Sequence, residues 1–381
     1  MEKVLITGGA GYLGSILTEV LLSKGYAVTV LDNLCYKQLS LTSFCHNKNF
    51  ELVVGDVRDT KLLTSLVETH DIIIPLAAIV GMPACKKDPD LTVAVNYQQI
   101  KNIVEIIQPS QKLLVPNTNS QYGSSETIIT EESPFNPLSL YAQTKCDAEK
   151  RVLEWGNGIS LRLATVFGVS YRQRMDLLVN DFVYRAFTDE FLVLFESHFL
   201  RNYVHVRDVA KAFVHLIENY ETCNNNAFNV GLTSANMSKL QLAQKVKEYL
   251  PNLVIIEEQF KEDFDKRNYV VSNEKLEKTG WSCDFSLDAG IQELIKAYKM
   301  IQNFKNKWIC WKSFNWLFSR TLPRLRRSHN RFQISQLKFR RVLHSHLNQT
   351  SLDVYKQVVF GRNAPLLTIL PHLQQKRTLL K

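Results

Sequence analysis

In the stretch YAQTK, Tyr141 and Lys145 stand four residues apart, so a helix carries both on one face. A free tyrosine, with a pKa of about 10, is a poor base at neutral pH. A cation close by lowers that value and lets the phenolate take a proton from an alcohol. Alone, the pair fits an exposed tyrosine beside a solvated lysine better than a catalytic pair. A second constellation lies near the start of the chain, in LITGGAGYLGS (residues 5–15). Gly8 and Gly11 fall in a turn after an apolar run, and Gly14 in the first turn of the helix that follows. Lacking Cβ, the first two let backbone approach a pyrophosphate, and Gly14 allows close packing of helix on strand. The helix N-terminus adds unpaired N–H groups and partial positive charge. The spacing is GxxGxxG, which departs from the GxGxxG dinucleotide fingerprint. Asp32 supplies what that departure leaves open. It ends the next strand-like run, where a carboxylate accepts both ribose hydroxyls and repels a 2′-phosphate. The expected cofactor is therefore NAD and not NADP, and its positive nicotinamide ring adds to the charge beside Tyr141.

These residues need a scaffold, and the hydrophobic pattern supplies one. Apolar β-rich runs recur at 3–7, 27–31, 51–54, 71–74, 111–115 and 159–163. Helical spacing fills the gaps: Leu13, Ile16, Leu17, Val20 and Leu21 before Gly25, then stretches near 60–69, 91–107 and 141–155. Strand and helix in alternation predict an α/β fold of Rossmann type, a doubly wound parallel sheet. After about residue 165 the pattern turns mixed, with helices expected near 207–219, 238–249 and 286–301. The expected organisation is an NAD-binding domain at 1–165, a smaller mixed substrate-binding lobe at 166–301 with elements interleaved with the first, and a C-terminal extension at 302–381.

Composition narrows the class. The formal charge of +9 suggests nucleic acid, but from Gln302 onward there are sixteen Lys/Arg against one acid, Asp353. The preceding 301 residues are net acidic, so the basicity belongs to the extension. Seven cysteines without a CxxC pair predict neither a disulfide framework nor a zinc site, and no metal is expected. The opening MEKVLIT runs straight into a strand-like segment, so no signal peptide is expected, and no run is long enough to span a membrane. A cytoplasmic location is the expectation.

Over residues 1–301 the chain resembles the extended short-chain dehydrogenase/reductase family, the NAD-dependent nucleotide-sugar epimerases and dehydratases. The motifs that carry the resemblance are TGGAGYLG, LDNL, GDVRD, PLAA, NTNSQYG, TEESPFNPLSLYAQTK, RNYVHVRDVA and YVVSNEKLEKTGW, in the family's order and spacing. The resemblance implies cofactor contacts from Gly8, Gly11, Tyr12, Leu13, Gly14, Asp32 and Asn33. It places Asp56 and Val57 at the adenine, Leu76, Ala77 and Ala78 along the cofactor, and Asn96 in a structural or relay role. Thr118 would hydrogen-bond the reacting sugar hydroxyl, Tyr141 would be the base, and Lys145 would hold the nicotinamide ribose. Arg201 and Tyr203 match positions that hold the nucleotide diphosphate; Thr165, Asn180 and Arg267 are further candidate contacts for the nucleotide-sugar substrate. A homodimer is the expected assembly.

Departures from the family pattern matter as much. Dehydratases carry an Asp-Glu pair after the threonine, whereas Asn119 and Ser120 stand here, and neither is a competent acid or base near neutral pH. Dehydration is therefore not expected. PLAAIVG, LRLATVFG and DLLVNDF look most like the branch that oxidises a GDP-linked heptose at C4 in bacterial capsule synthesis, whose neighbours include 4-epimerases and decarboxylases. The expected reaction is NAD-dependent C4 oxidation of a nucleotide sugar in surface-polysaccharide synthesis. A different class also fits: an NAD-dependent binding or scaffold protein acting through its basic extension. There Trp308, Trp311 and Trp316 interleave with Lys312, Arg320, Arg324, Arg326 and Arg327. Segments of that kind lie on anionic membranes or bind RNA. Peripheral membrane contact is weighed here against an extension with no specific role, and nucleic acid is not expected.

Overall fold

The computed structural model describes residues 1–258 and 267–306. The runs of β-branched and apolar residues form a seven-stranded sheet, in the spatial order Asn226–Val230, Gly158–Leu163, Lys112–Thr118, Ile72–Pro75, Lys3–Thr7, Ala27–Asp32 and Phe50–Val54. Each neighbouring pair is parallel. The strand order reverses between Lys3–Thr7 and Ile72–Pro75. In an open α/β sheet such a reversal leaves a crevice at the carboxyl ends of the strands, where ligands bind. Helices cover both faces. Tyr12–Ser23 and Val206–Glu218 pack on one side around Ile16, Leu17, Val209 and Phe213. Thr60–Val67, Gln99–Ile106 and Leu140–Trp155 pack on the other around Leu63, Ile103 and Val152. Burial on both faces is why the central strands read as continuous apolar runs.

The strands and helices expected from the pattern are present within a few residues of their predicted bounds. The strand Asn226–Val230 was not foreseen. It extends the sheet far along the chain from its neighbour, and its sequence NAFNV lacks a continuous apolar run. A third core gathers Phe182, Leu192, Leu242, Ile291 and Tyr298 from the helices Leu178–Thr188, Lys239–Tyr249 and Leu287–Asn306 and the strand Phe191–Phe195. The basic extension from residue 307 onward, with its tryptophans, lies outside the described residues. Among the described residues no helix is long and apolar enough to cross a membrane, no cluster of His, Cys, Asp or Glu could hold a metal ion, and the six cysteines are free thiols.

Candidate active site

A cleft of about 1420 Å³ runs along the carboxyl edge of the sheet. Its floor begins with the glycine turn. Gly8 sits at φ +70°, and a Cβ there would lie 2.6 Å from the backbone of Ala77. A Cβ at Gly14 would lie 2.6 Å from Gly8 O and Gly9 Cα. The missing atom at Gly14 thus makes room for the turn itself, not only for a helix against a strand. The helix Tyr12–Ser23 that starts here has no acidic residue in its first turn, so its N–H dipoles face the cleft uncompensated. Asp32, at the end of its strand, accepts from the backbone N–H of Ala10 (3.0 Å) and Leu34 (2.8 Å). Those two bonds fix the carboxylate at the cleft wall and leave lone pairs for ribose hydroxyls. Beyond it, Arg58 holds Asp56 through two side-chain bonds of 2.9 and 2.8 Å. The same arginine pulls the Asp56 carboxyl down to about 2. Asn33 Nδ2 donates to Asp56 as well, at 3.4 Å. A cradle that a single methyl would fill, a free helix N-terminus and a ribose-facing carboxylate fit a dinucleotide.

The other end of the cleft is built by the strand Lys112–Thr118 and the helix Leu140–Trp155. That helix starts after Pro137 and is capped by Ser139 Oγ, which accepts from Ala142 N–H at 3.2 Å. Gly156, left-handed, ends it. Thr118, Tyr141 and Lys145 all line the cleft. Burial holds the Tyr141 phenol above its ordinary value; the charge of Arg267, then that of Arg174, and a hydrogen bond with Thr118 oppose it. Lys145 Nζ donates to Pro116 O at 2.9 Å, and burial brings its ammonium down to about 8. In this geometry the cations acting most on Tyr141 are therefore the two arginines. Ser120 Oγ receives Thr118 Oγ1 at 3.0 Å and also Arg267 Nη1.

A family model for the NAD dependent epimerase/dehydratase family matches residues 4–231. The chain belongs to this family. Among its relatives, UDP-glucuronic acid decarboxylase 1 of Arabidopsis thaliana is 28% identical over 324 residues, covering 80% of this chain and 70% of its own. CDP-paratose 2-epimerase of Salmonella typhi is 26% identical, with 77% and 98% covered. The structure of the Thermus thermophilus UDP-glucose 4-epimerase complex with NAD superposes with a TM-score of 0.68 at 25% identity, over 78% of this chain and 99% of that one. The protein is thus an NAD-dependent enzyme of the epimerase/dehydratase family, with NAD as its cofactor.

The cleft brings together most of the residues singled out from the sequence: Gly8, Gly11, Tyr12, Leu13, Gly14, Asp32, Asn33, Asp56, Val57, Leu76, Ala77, Ala78, Thr118, Tyr141, Lys145, Thr165 and Arg267. Four others lie behind its surface. Asn96 is buried, accepting from Ile79 N–H (2.8 Å) and donating to Ile79 O (3.0 Å), so it pins the segment after the strand Ile72–Pro75. Asn180 accepts from Gly168 N–H (3.0 Å) and donates to Arg174 O (2.9 Å), which shapes the 168–174 loop. Tyr12 joins the same loop, donating its hydroxyl to Gly168 O at 2.8 Å. Arg201 and Tyr203 are buried side by side on one face of the strand Leu200–His205; Arg201 Nη1 donates to Leu200 O at 2.9 Å. The cleft also gains residues that the sequence reading passed over. Arg172 stacks on the Tyr36 ring at 3.7 Å, and Arg174 is held by Asp176 through Nε (3.1 Å) and Nη2 (2.5 Å). The only signal for them is two arginines in YRQRMD, in a loop that the strand and helix patterns leave unplaced.

Proposed function

We propose that this enzyme oxidises the C4 hydroxyl of a nucleotide-linked sugar and retains the sugar's water, acting as a 4-epimerase or 4-dehydrogenase in surface-polysaccharide synthesis. A GDP-heptose is the first substrate to test. The observation that carries the reading is the meeting of Thr118, Tyr141 and Lys145 with the glycine turn and Asp32 in one cleft. Bound NAD supplies the hydride acceptor. The chain's own residues do the rest. Thr118 orients the sugar hydroxyl and Tyr141 takes its proton, with Arg267, Arg174 and the Thr118 bond favouring the phenolate. Lys145, gripped by Pro116 O, holds the ribose beside them. The spatial fixing of alcohol and base is the main catalytic device.

The acid–base inventory supports retention of water. Elimination needs an acid and a base past the threonine, where this chain has Asn119, buried away from the cleft, and Ser120, engaged by Thr118 and Arg267. Among the described residues the carboxylates lining the cleft are Asp32, Asp56 and Asp176. The first two lie at the expected ribose and adenine end, and the third is paired with Arg174. The test begins with nucleotides released on denaturing the purified protein, followed by GDP-, UDP- and dTDP-sugars added to wild type and Tyr141→Phe. Turnover in the wild type and a loss of about 10²–10⁴-fold in Tyr141→Phe support the reading. Equal turnover in both would mean that another group takes the proton.

A further inference from the structure

Glu149 lies one helical turn beyond Lys145, is 1% exposed, and has no part in the chemistry described so far. Every partner of its carboxylate is a donor. Arg162 reaches it through Nε (3.0 Å) and Nη2 (2.6 Å), Ser160 Oγ at 2.5 Å, Gln121 Nε2 at 3.1 Å and Asn117 Nδ2 at 2.9 Å. These donors come from the strands Gly158–Leu163 and Lys112–Thr118 and the turn Asn119–Tyr122. Asn117 then joins the two catalytic segments. Its Nδ2 also donates to Lys145 O at 3.1 Å, and its Oδ1 accepts from Thr118 N–H at 3.1 Å. One amide therefore touches the backbone of Thr118 and of Lys145, and Glu149 fixes the orientation of that amide.

We infer that Glu149 is a positioning residue: through Asn117 it sets the register between the strand bearing Thr118 and the helix bearing Tyr141 and Lys145. The inference rests on the function proposed above. An ionised carboxylate offers only acceptors, so five N–H and O–H groups can converge on it without conflict. A glutamine of the same shape would turn an NH₂ toward donors and break the set. Arg162 supplies the charge that keeps this buried carboxylate paired, and its Nη1 extends the network to Tyr122 Oη (2.6 Å).

Two variants test this. Glu149→Gln disturbs the whole set, whereas Asn117→Ala removes the link to Thr118 and Lys145 together with one of the five donors to Glu149, and leaves the Glu149–Arg162 pair intact. If Glu149 acts through Asn117, both variants lose kcat, by about 10-fold to 10²-fold for a small misplacement. KM for the sugar nucleotide and the affinity for NAD stay within about threefold, and Asn117→Ala melts close to wild type. A readout independent of turnover is Tyr141 ionisation, measured as phenolate absorbance of each protein minus its Tyr141→Phe counterpart. Tyr141 faces Arg267, Arg174, Cys85, Thr118 and Lys145, and weakening the Thr118 bond moves its ionisation to higher pH in both variants. Unchanged ionisation and kcat in Asn117→Ala would overturn the inference. So would losses of kcat, NAD affinity and melting temperature in step, the mark of general unfolding. Wild type inactive on every sugar tried, with the ionisation shift present, would fault the proposed function and leave the positioning role standing.

Discussion

Replacing Gly8 by alanine separates two costs that the glycine turn avoids. The first is conformational: φ at Gly8 is +70°, and an L-residue in the left-handed region costs about 1–2 kcal/mol. The second is steric. The new Cβ would lie 2.6 Å from both Cα and N of Ala77, and backbone atoms cannot rotate away. Overpacking of that kind costs about 1–3 kcal/mol. Together the two give about 2–5 kcal/mol, or a fall in melting temperature of about 4–10 °C at roughly 2 °C per kcal/mol. Relief of the clash moves the turn away from Ala77, along the phosphate cradle, so NAD affinity falls at least about tenfold, roughly 1.4 kcal/mol. Gly25 is the control. It also has positive φ, +87°, but a Cβ there meets nothing within 4 Å. Gly25→Ala therefore carries only the conformational cost and binds NAD as wild type does. Differential scanning calorimetry and NAD titration on both variants decide the matter. A Gly8→Ala protein no less stable than Gly25→Ala, with normal NAD affinity, would refute the reasoning.

Asp32→Ser removes the carboxylate opposed to a 2′-phosphate, so a preference for NAD over NADP of at least about tenfold should collapse toward parity in paired titrations. With Tyr141 as the proposed ionised base, whose pKa Arg267 and Arg174 lower against burial, activity is expected to rise with pH through that value. Arg174→Met should move the rising limb of kcat/KM to higher pH, about half a unit or more, and a limb that stays in place would remove Arg174 from the account. Among the described residues, those lining the cleft all precede Val270, so a chain ending at Trp308 should keep the wild-type kcat. The same truncation should lose sedimentation with anionic vesicles at low salt if the basic extension meets membranes.

The fold was largely legible in the sequence because the sheet is buried on both faces. Continuous runs such as KVLIT, AVTVL and QKLLV have few alternatives to central parallel strands, and the turn after the first of them is where an open α/β sheet holds a dinucleotide. Tyr141 and Lys145 were legible only in company: helical spacing puts them on one face, and the dinucleotide turn and family motifs around them mark that face for chemistry. Arg172 and Arg174 were not, because long-range bonds decide their place. Asn180 and Tyr12 hold the 168–174 loop from two separate helices. Arg201 and Tyr203 show the converse limit. Alternation places them on the same face of their strand, but only tertiary packing decides whether that face meets the cleft or the interior. Glu149 was invisible for the same reason: a lone glutamate in a helix gives no sign that five donors from other elements converge on it.

The central claim is that C4 is oxidised and no water leaves. Mass spectrometry tests it most directly, with wild-type enzyme and GDP-heptose, GDP-mannose and UDP-glucose carrying deuterium at C4. The account predicts deuterium transfer from C4 to the bound nicotinamide. The sugar product is then either lighter by the two abstracted hydrogen isotopes, or unchanged in mass where the deuterium is returned. A product that has lost one water, or turnover with the C4 deuterium never leaving the sugar, would contradict it.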